Sequence, residues 1–405
     1  MQRTFANDRI KRLGQSIAAG GVEAMAMFPF ALAFGALAGL NAASGVIAAV
    51  AASLLAALLP GRPAFFAGPT CLVFLIFSAC AGRYGLPLAL TAAVLAGAIV
   101  LLALACRAER LLRYIPAPVA GGFTIGIALV MTILQTNNYF GINASGVSAV
   151  EMLLSYRSFG FHANWRTVLY GTIVLVLMIT YPRKFKRLHR FVPPQFVSLV
   201  IALGLHLCLV PSAAQSPVLE LGVLPRALPE AGGLLFAGLS AAPVGGLLLS
   251  AAAIALSVLV SCGGSVHDEP GERAGRVFLL GAGNVLLPLL GGMPAGAARE
   301  REQSITRLAP LSAGVLMLLA TLPGGILERI PLSVLAVILI VPMWEQLDFQ
   351  ALKTVFGGKR PVQILLFFLC AAVTVFLELP YVMLLFAVVT AGAALRTAYQ
   401  RKKSC

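Results

Sequence analysis

Two short apolar stretches that are interrupted by proline and glycine decide the fold. AGPT (67–70) leads into CLVFLIFSACA (71–81), and MPAG (293–296) leads into AAREREQS (297–304). Each is too short to cross a hydrocarbon core of roughly 30 Å alone, and they lie in opposite halves of the chain. Paired broken segments are typical of transporters built from two repeats, which hold substrate between two helix N-termini. Because a helix N-terminus offers free N–H groups and partial positive charge, the sequence predicts an anionic substrate.

Composition assigns most of the chain to the lipid bilayer. Of 405 residues, 59% are hydrophobic and only 11% are charged, which is typical of a polytopic membrane protein. The net charge of +15 would suggest nucleic acid in a soluble protein, but here the basic residues cluster between apolar segments. With both termini placed inside, all but five of the 30 Lys and Arg fall on the inner side. The exceptions are Arg83, Arg157, Arg166, Arg226 and Arg329. The chain is therefore expected to lie in the cell inner membrane with cytoplasmic termini and no nucleic-acid partner.

Fourteen apolar segments divide evenly between the two halves. Their approximate limits are 21–40, 44–60, 70–81, 86–106, 116–135, 167–182 and 193–211, then 233–262, 275–290, 294–304, 309–324, 331–346, 361–378 and 380–397. An odd number of segments per half requires the second repeat to enter the bilayer upside down. The sequence thus predicts an all-α polytopic membrane protein, a 7+7 inverted repeat with extended backbone before the short segments 3 and 10. The polar stretch 137–166 is expected to be an outer loop.

Several stretches carry a family likeness. They are FPFALAFGALAGLNAASGVIAAVAASLLAALLPG (28–61), RAERLLRYIPAPVAGGFTIGIALVMTILQ (107–135), GAGNVLLPLLGGMPA (281–295) and IPLSVLAVILIVPMWEQLDF (330–349). Over about 10–397 the chain resembles the SulP family of anion transporters, the relatives of solute carrier 26. That resemblance implies a secondary transporter of a small anion of the sulfate, bicarbonate, chloride or dicarboxylate class, and suggests a homodimer.

The resemblance also implies a division into two domains. Residues 1–115 and 232–325 (segments 1–4 and 8–11) would form a core, or transport, domain. Residues 116–231 and 326–397 (segments 5–7 and 12–14) would form a gate, or scaffold, domain, and 398–405 a short cytoplasmic tail. The core would slide against the gate like an elevator, carrying an anion between segments 3 and 10.

Three departures from the family pattern stand out. The family carries a cytoplasmic STAS domain after its last span, and none is expected here because the chain stops soon after segment 14. Many members have a carboxylate in the eighth segment, whereas 251–257 reads AAAIALS. A polar residue often follows the proline of the first segment, where this chain has Phe30.

The expected substrate site in the first half begins at segment 3. Gly68, Thr70 and Cys71 surround its N-terminus, where free N–H groups point toward a ligand. The Thr70 hydroxyl either caps the helix or contacts the anion. Phe30 either forms a wall of the pocket or packs between helices.

The expected contribution of the second half lies at segment 10. Ala297 and Ala298 would offer backbone N–H groups. Arg299 and Arg301 would raise the local potential, as the resemblance also implies for one arginine in this region. Alternatively, these arginines reach cytoplasmic water beside the glutamates that alternate with them.

The sequence contains little that suggests other chemistry. Seven cysteines without a CxxC pair predict neither a metal site nor disulfides, and no cofactor is expected. No HExxH, GxSxG or P-loop motif occurs, so the chain is not expected to be an enzyme. Glu23 and Glu378 are expected at segment ends, away from mid-bilayer, which disfavours a cation pump. His206, inside segment 7, is expected to be a hydrogen-bonded packing residue.

Two alternative functions stay open from the sequence. A nucleobase or aromatic-acid permease of a related 7+7 fold would usually hold a buried glutamate in its second half, and none is evident here. A non-transporting membrane scaffold is the other alternative, which the departures at Phe30 and in the eighth segment favour.

Overall fold

The structure is a computed structural model that describes residues 2–38, 41–58, 66–142, 146–159, 162–210, 218–222, 243–262, 270–297, 306–347, 357 and 361–404. Helices dominate it. Those of the first half are α1 (Gln2–Leu37), α2 (Ala42–Leu58), α3 (Cys71–Tyr84), α4 (Leu86–Ala105), α5 (Ala117–Phe140), α6 (Ala149–Phe159), α7 (Trp165–Lys184), α8 (Lys186–His189) and α9 (Pro194–Leu209). Those of the second half are α10 (Val244–Cys262), α11 (Pro270–Leu286), α12 (Leu308–Ala320), α13 (Gly324–Leu327), α14 (Leu332–Glu345), α15 (Pro361–Phe376) and α16 (Leu379–Ser404). Two-residue strands, β1 (Ala67–Gly68) and β2 (Gly296–Ala297), precede α3 and follow α11.

Thirteen of the fourteen predicted segments are helical. Within the described residues, seven helices are long and apolar enough to span a membrane, and six more are shorter and apolar. These helices confirm the predicted all-α polytopic fold. The exception is segment 10, whose predicted start at 294 is wrong because Gly296–Ala297 is the extended strand β2. The rest of that segment, 298–304, lies outside the described residues, as does 233–242 of segment 8.

The first span begins earlier than predicted. Its apolar, span-length part is Leu13–Leu37, whereas composition had suggested 21–40. Glu23 therefore lies ten residues inside the span and is only 8% exposed, so its placement at the end of the span was wrong. The cause is the polar and basic N-terminal sequence, which is part of α1 but gives no apolar pattern from which the helix could be predicted.

The predicted outer loop 137–166 also contains helix. α5 continues to Phe140, and α6 occupies Ala149–Phe159. Ser148 and Glu151 start α6 with a capping box: Glu151 N donates to Ser148 Oγ (3.2 Å), and Ser148 N donates to Glu151 Oε2 (3.3 Å). The S-x-x-E spacing was visible in the sequence and indicates this helix start.

Proline and glycine set several helix boundaries. Prolines occupy the first turn of α4, α5 and α9, where the missing N–H costs nothing. α3 ends at Gly85 (φ +85°) and α5 at Gly141 (φ +66°), backbone conformations that side chains with a Cβ rarely adopt. These signals explain why most span limits agree with prediction to within a few residues.

Helix packing follows the predicted internal symmetry. α4 packs on α10 and α11, and the equivalent helix of the second half, α12, packs on α1 and α2. Glycine permits the closest approaches. A Cβ at Gly97 would lie 2.7 Å from Gly281 O, and one at Gly45 would lie 1.9 Å from Ala31 O.

A second group of helices forms around α5. α5 packs on α14 and α15, and α7 packs on α14 and α9. The two groups touch mainly through α1, which contacts α9 and α14. The last helix, α16, packs mainly on α10 of the first group.

Candidate functional site

The two halves of the chain meet at a pair of crossing strands. β1 and β2 are antiparallel, with Ala67 opposite Ala297 and Gly68 opposite Gly296. The extended backbone predicted before segment 3 is thereby confirmed. A Cβ at Gly296 would lie 2.8 Å from Ser261 Oγ and 3.1 Å from Thr70 Oγ1. The crossing therefore needs glycine, and it brings Thr70 of the first half beside Ser261 of the second.

Gly68 is equally confined. It is buried, and a Cβ there would lie 2.5 Å from Met27 Cε of α1. α1 thus closes one side of the crossing.

Thr70 begins α3 with an extended backbone (φ −118°, ψ 154°). Its side chain makes no capping hydrogen bond, and Oγ1 is buried with no partner among the described residues. Of the two roles expected for this hydroxyl, capping is thus not the one adopted. A buried hydroxyl without a partner costs about 1–3 kcal/mol, which a ligand would offset.

The first turn of α3 adds backbone donors. Phe74 N donates to Thr70 O (2.8 Å), so it is the first N–H with an acceptor inside the helix. The N–H groups of Cys71, Leu72 and Val73 precede it and have no intrahelical acceptor. Cys71 itself is half-buried. The end of α3 consequently combines one hydroxyl with a set of amide donors, a combination suited to an anion.

The second strand is held by two side chains. Asn284, fully buried on α11, accepts from Ala295 N (2.7 Å) and donates to Ala295 O (2.8 Å). Ser261 Oγ accepts from Ala297 N (2.9 Å) and donates to Val258 O (2.6 Å). The Ala297 amide, expected to face the ligand, is thus engaged by Ser261.

Sequence reasoning missed both of these side chains. The available signal was Asn284 itself, a lone amide within the apolar run GAGNVLLPLL. Polar residues inside membrane segments usually carry structural or functional roles. Ser261, at the end of α10, had no comparable signal.

Phe30 is part of a row of aromatic side chains. It is half-buried and stacks on Phe34 with ring centroids 6.0 Å apart, and Phe34 lies 4.9 Å from Phe74 of α3. This aromatic row connects α1 to the first turns of α3. The remaining predicted site residues, Ala298, Arg299 and Arg301, lie outside the described residues.

Titratable groups elsewhere are hydrogen-bonded or paired. His206 is fully buried and hydrogen-bonded, as predicted: its Nε2 lies 2.8 Å from Glu220 Oε1, which lies 3.6 Å from Arg329 Nη2. In the part of the chain that the structure describes, no group of three or more His, Cys, Asp or Glu residues could hold a metal ion.

Sequence comparison identifies relatives of most of the membrane region. Residues 13–370 match the sulfate permease family. YvdB of Bacillus subtilis is 27% identical over 84% of this chain and 66% of its own length. The bicarbonate transporter BicA of Picosynechococcus is 26% identical over 82% of this chain and 62% of its own. The chain thus spans about two thirds of the length of these relatives.

Solved structures share the fold. The transmembrane domain of a cyanobacterial bicarbonate transporter, BicA, superposes with a TM-score of 0.77 at 23% identity, covering 93% of this chain and 98% of that one. The murine anion transporter Slc26a9 in its inward-facing state gives a TM-score of 0.77 at 15% identity, covering 95% and 68%. Both likenesses support the 7+7 architecture.

Proposed function

Because the chain belongs to the sulfate permease family, we propose that it is a secondary transporter of a small anion. Sulfate is a first candidate from the family description, and bicarbonate from the BicA relatives. Chloride and dicarboxylates complete the panel of substrates to test.

The proposed anion site lies at the N-terminus of α3, opposite the start of segment 10. One observation carries this proposal: the Thr70 hydroxyl is buried without a partner beside Gly296, where the two halves cross. The N–H groups of the first turn of α3, which have no acceptor inside the helix, supply further donors. Arg299 and Arg301 would add positive potential, and Phe30 and Gly68 would shape the walls.

The proposed transport motion is an elevator movement of a core against a gate. The core comprises 1–115 and 232–325, and the gate comprises 116–231 and 326–397. The packing supports most of this division, because α1–α4 and α10–α12 form one group of contacts and α5, α7, α14 and α15 form another. The exception is α16, which the proposal assigns to the gate but which packs mainly on α10 and on residues 108–114 of the core. A sliding movement would have to break these contacts.

The proposed setting is the cell inner membrane with cytoplasmic termini. Lys and Arg fall overwhelmingly on one side of the alternating spans, which supports that orientation. α6 and the junction between α15 and α16 then face outward. A homodimer is proposed from the family likeness alone.

Flux into proteoliposomes tests the proposal. The purified chain is reconstituted, and uptake of labelled sulfate, bicarbonate, chloride and oxalate is measured against empty liposomes. We expect saturable uptake of at least one anion that Thr70→Val reduces by about tenfold, the effect of losing roughly one hydrogen bond to a charged ligand. Uptake at the empty-liposome level for the whole panel would contradict the proposal. Uracil and benzoate, added to the panel, test the permease alternative.

A further inference from the structure

A cavity of about 250 Å³ lies between α3, the end of α5 and the segment that leads into α6. Phe74, Ser78 and Gly82 line it from α3. These residues follow Thr70 at successive steps of four, roughly one helical turn each. Ser78 therefore lies about 12 Å beyond Thr70 along the helix axis, toward the proposed outer face. The cavity thus lies on the outer side of the candidate anion site.

Side-chain amides form the opposite wall. Gln135, Asn137 and Asn138 of α5 line the cavity. Gln135 Oε1 accepts a hydrogen bond from Asn138 Nδ2 (2.9 Å), and Asn137 Oδ1 accepts one from Asn138 N (2.8 Å). Both amide oxygens are thus directed at neighbouring donors. Gln135 is only 4% exposed, so its NH₂ group is the donor that it can present to a guest.

The residues that line the cavity favour an anion over a cation. No carboxylate lines the cavity among the described residues. The nearest acid in sequence, Glu151, accepts N–H donors from Val147 (2.9 Å) and Ser148 (3.3 Å). Its other oxygen lies 3.6 Å from Arg83 Nη2, and Arg83 also pairs with Glu378. The wall itself offers hydroxyl and amide donors to an anion and no carboxylate to a cation.

We propose that this cavity is a second anion site, in which Ser78, Gln135 and Asn138 hold a small inorganic anion between the outer water and Thr70. The passage of the anion to Thr70 rests on the proposed function. Binding in the cavity does not, and it can be measured without transport. Neutral donors fit such a role, since a waiting site must release its anion readily.

Modification of a reporter cysteine tests the site. Ser78→Cys is made in a variant whose seven native cysteines are replaced by alanine or serine. Rates of reaction with an anionic and a cationic methanethiosulfonate are measured on proteoliposomes. Leu153→Cys on α6 serves as the control, because the Leu153 side chain is exposed and does not line the cavity. Relative to Leu153→Cys, we expect the anionic reagent to be favoured at Ser78→Cys by about fivefold. Sulfate, bicarbonate or chloride at saturation should slow the reaction of the anionic reagent with Ser78→Cys.

Two further variants test the amide wall. In the reporter chain, Gln135→Glu should remove the preference for the anionic reagent, and Gln135→Leu should reduce it without adding charge. Gln346→Glu, which adds the same charge at the inner end of α14, should leave the preference for the anionic reagent unchanged.

Equal preference for the anionic reagent at both reporters, or no protection by any of the three anions, would overturn the site. A charge-selective reporter in a chain without flux would leave the site in place and overturn the proposed transport. Normal flux with an unselective reporter would overturn the site and leave the proposed transport in place.

Discussion

The two crossing strands occupy equivalent positions in the inverted repeat, yet their surroundings differ. In the second half, Asn284 and Ser261 engage the backbone of Ala295 and Ala297 with bonds of 2.7–2.9 Å. In the first half, the corresponding side-chain support among the described residues is one long contact from Ser53 Oγ to Ala67 O (3.4 Å). The first half also keeps an unpartnered hydroxyl at Thr70.

This difference suggests different roles for the two strands. The backbone at the second strand is held by Asn284 and Ser261, which is typical of a structural support. The first strand leads to the helix end at which we propose that the anion binds. If the proposal holds, substitutions on the two sides should separate stability from anion affinity.

The largest loss of stability is expected from Asn284→Leu. It leaves the Ala295 N–H and C=O buried without partners, at a cost of about 2–4 kcal/mol. Thermal unfolding in detergent measures this. Asn284→Asp, which keeps the acceptor for Ala295 N but loses the donor, should also unfold below wild type. A wild-type melting temperature for Asn284→Leu would show that another contact fixes the second strand.

Gly296→Ala is expected to follow, at about 1–3 kcal/mol. The added Cβ meets Ser261 Oγ and Thr70 within 3.1 Å, so the crossing must widen. Gly245→Ala is the matched control, because no atom lies within 4 Å of a Cβ there. Equal melting temperatures for the two variants would show that the close contact at the crossing does not require glycine at position 296.

The two serines should differ by less. Ser261→Ala removes a hydrogen bond to the Ala297 amide and should cost about 1 kcal/mol. Ser53→Ala removes only the 3.4 Å contact and should cost about half that or less. Paired melting curves check the order, and the reverse order would contradict the asymmetry between the strands. Neither variant should weaken anion binding as Thr70→Val does.

A similarly small effect on stability is expected where the first half meets the second at the outer face. Arg83 of α3 pairs with Glu378, just before α16, but both side chains are about one-third exposed. Glu378→Gln should therefore change the free energy of unfolding by less than about 1 kcal/mol. Because the pair links the proposed core and gate, the variant should alter the flux rate. Unchanged flux would show that the pair does not restrain the movement.

Much of the fold was predictable because bilayer thickness and proline or glycine positions limit where helices can begin and end. The repeat was predictable from the two broken stretches, AGPT and MPAG. The early start of α1 and the helix α6 were not predicted, since polar helices outside the bilayer lack a hydropathy signal. The pairing of β1 with β2 depends on tertiary contact, and so does the role of Ser261, which no local pattern encodes.

The site was predictable in part. Thr70 and Gly68 follow from the rule that helix N-termini bind anions, and the structure places both at the crossing. Asn284 was overlooked although its polarity in an apolar run was visible. The partner-free state of Thr70 Oγ1 depends on atomic positions that the sequence does not provide.

Anion-dependent melting of Thr70→Val beside wild type and Thr70→Ser is the most direct test of the account. Removing an unpartnered buried hydroxyl should leave the ligand-free melting temperature of Thr70→Val at or above that of wild type. The stabilisation by sulfate or bicarbonate should then require about tenfold more anion, while Thr70→Ser retains wild-type affinity. Undiminished anion stabilisation in Thr70→Val would contradict the claim that this hydroxyl holds the substrate.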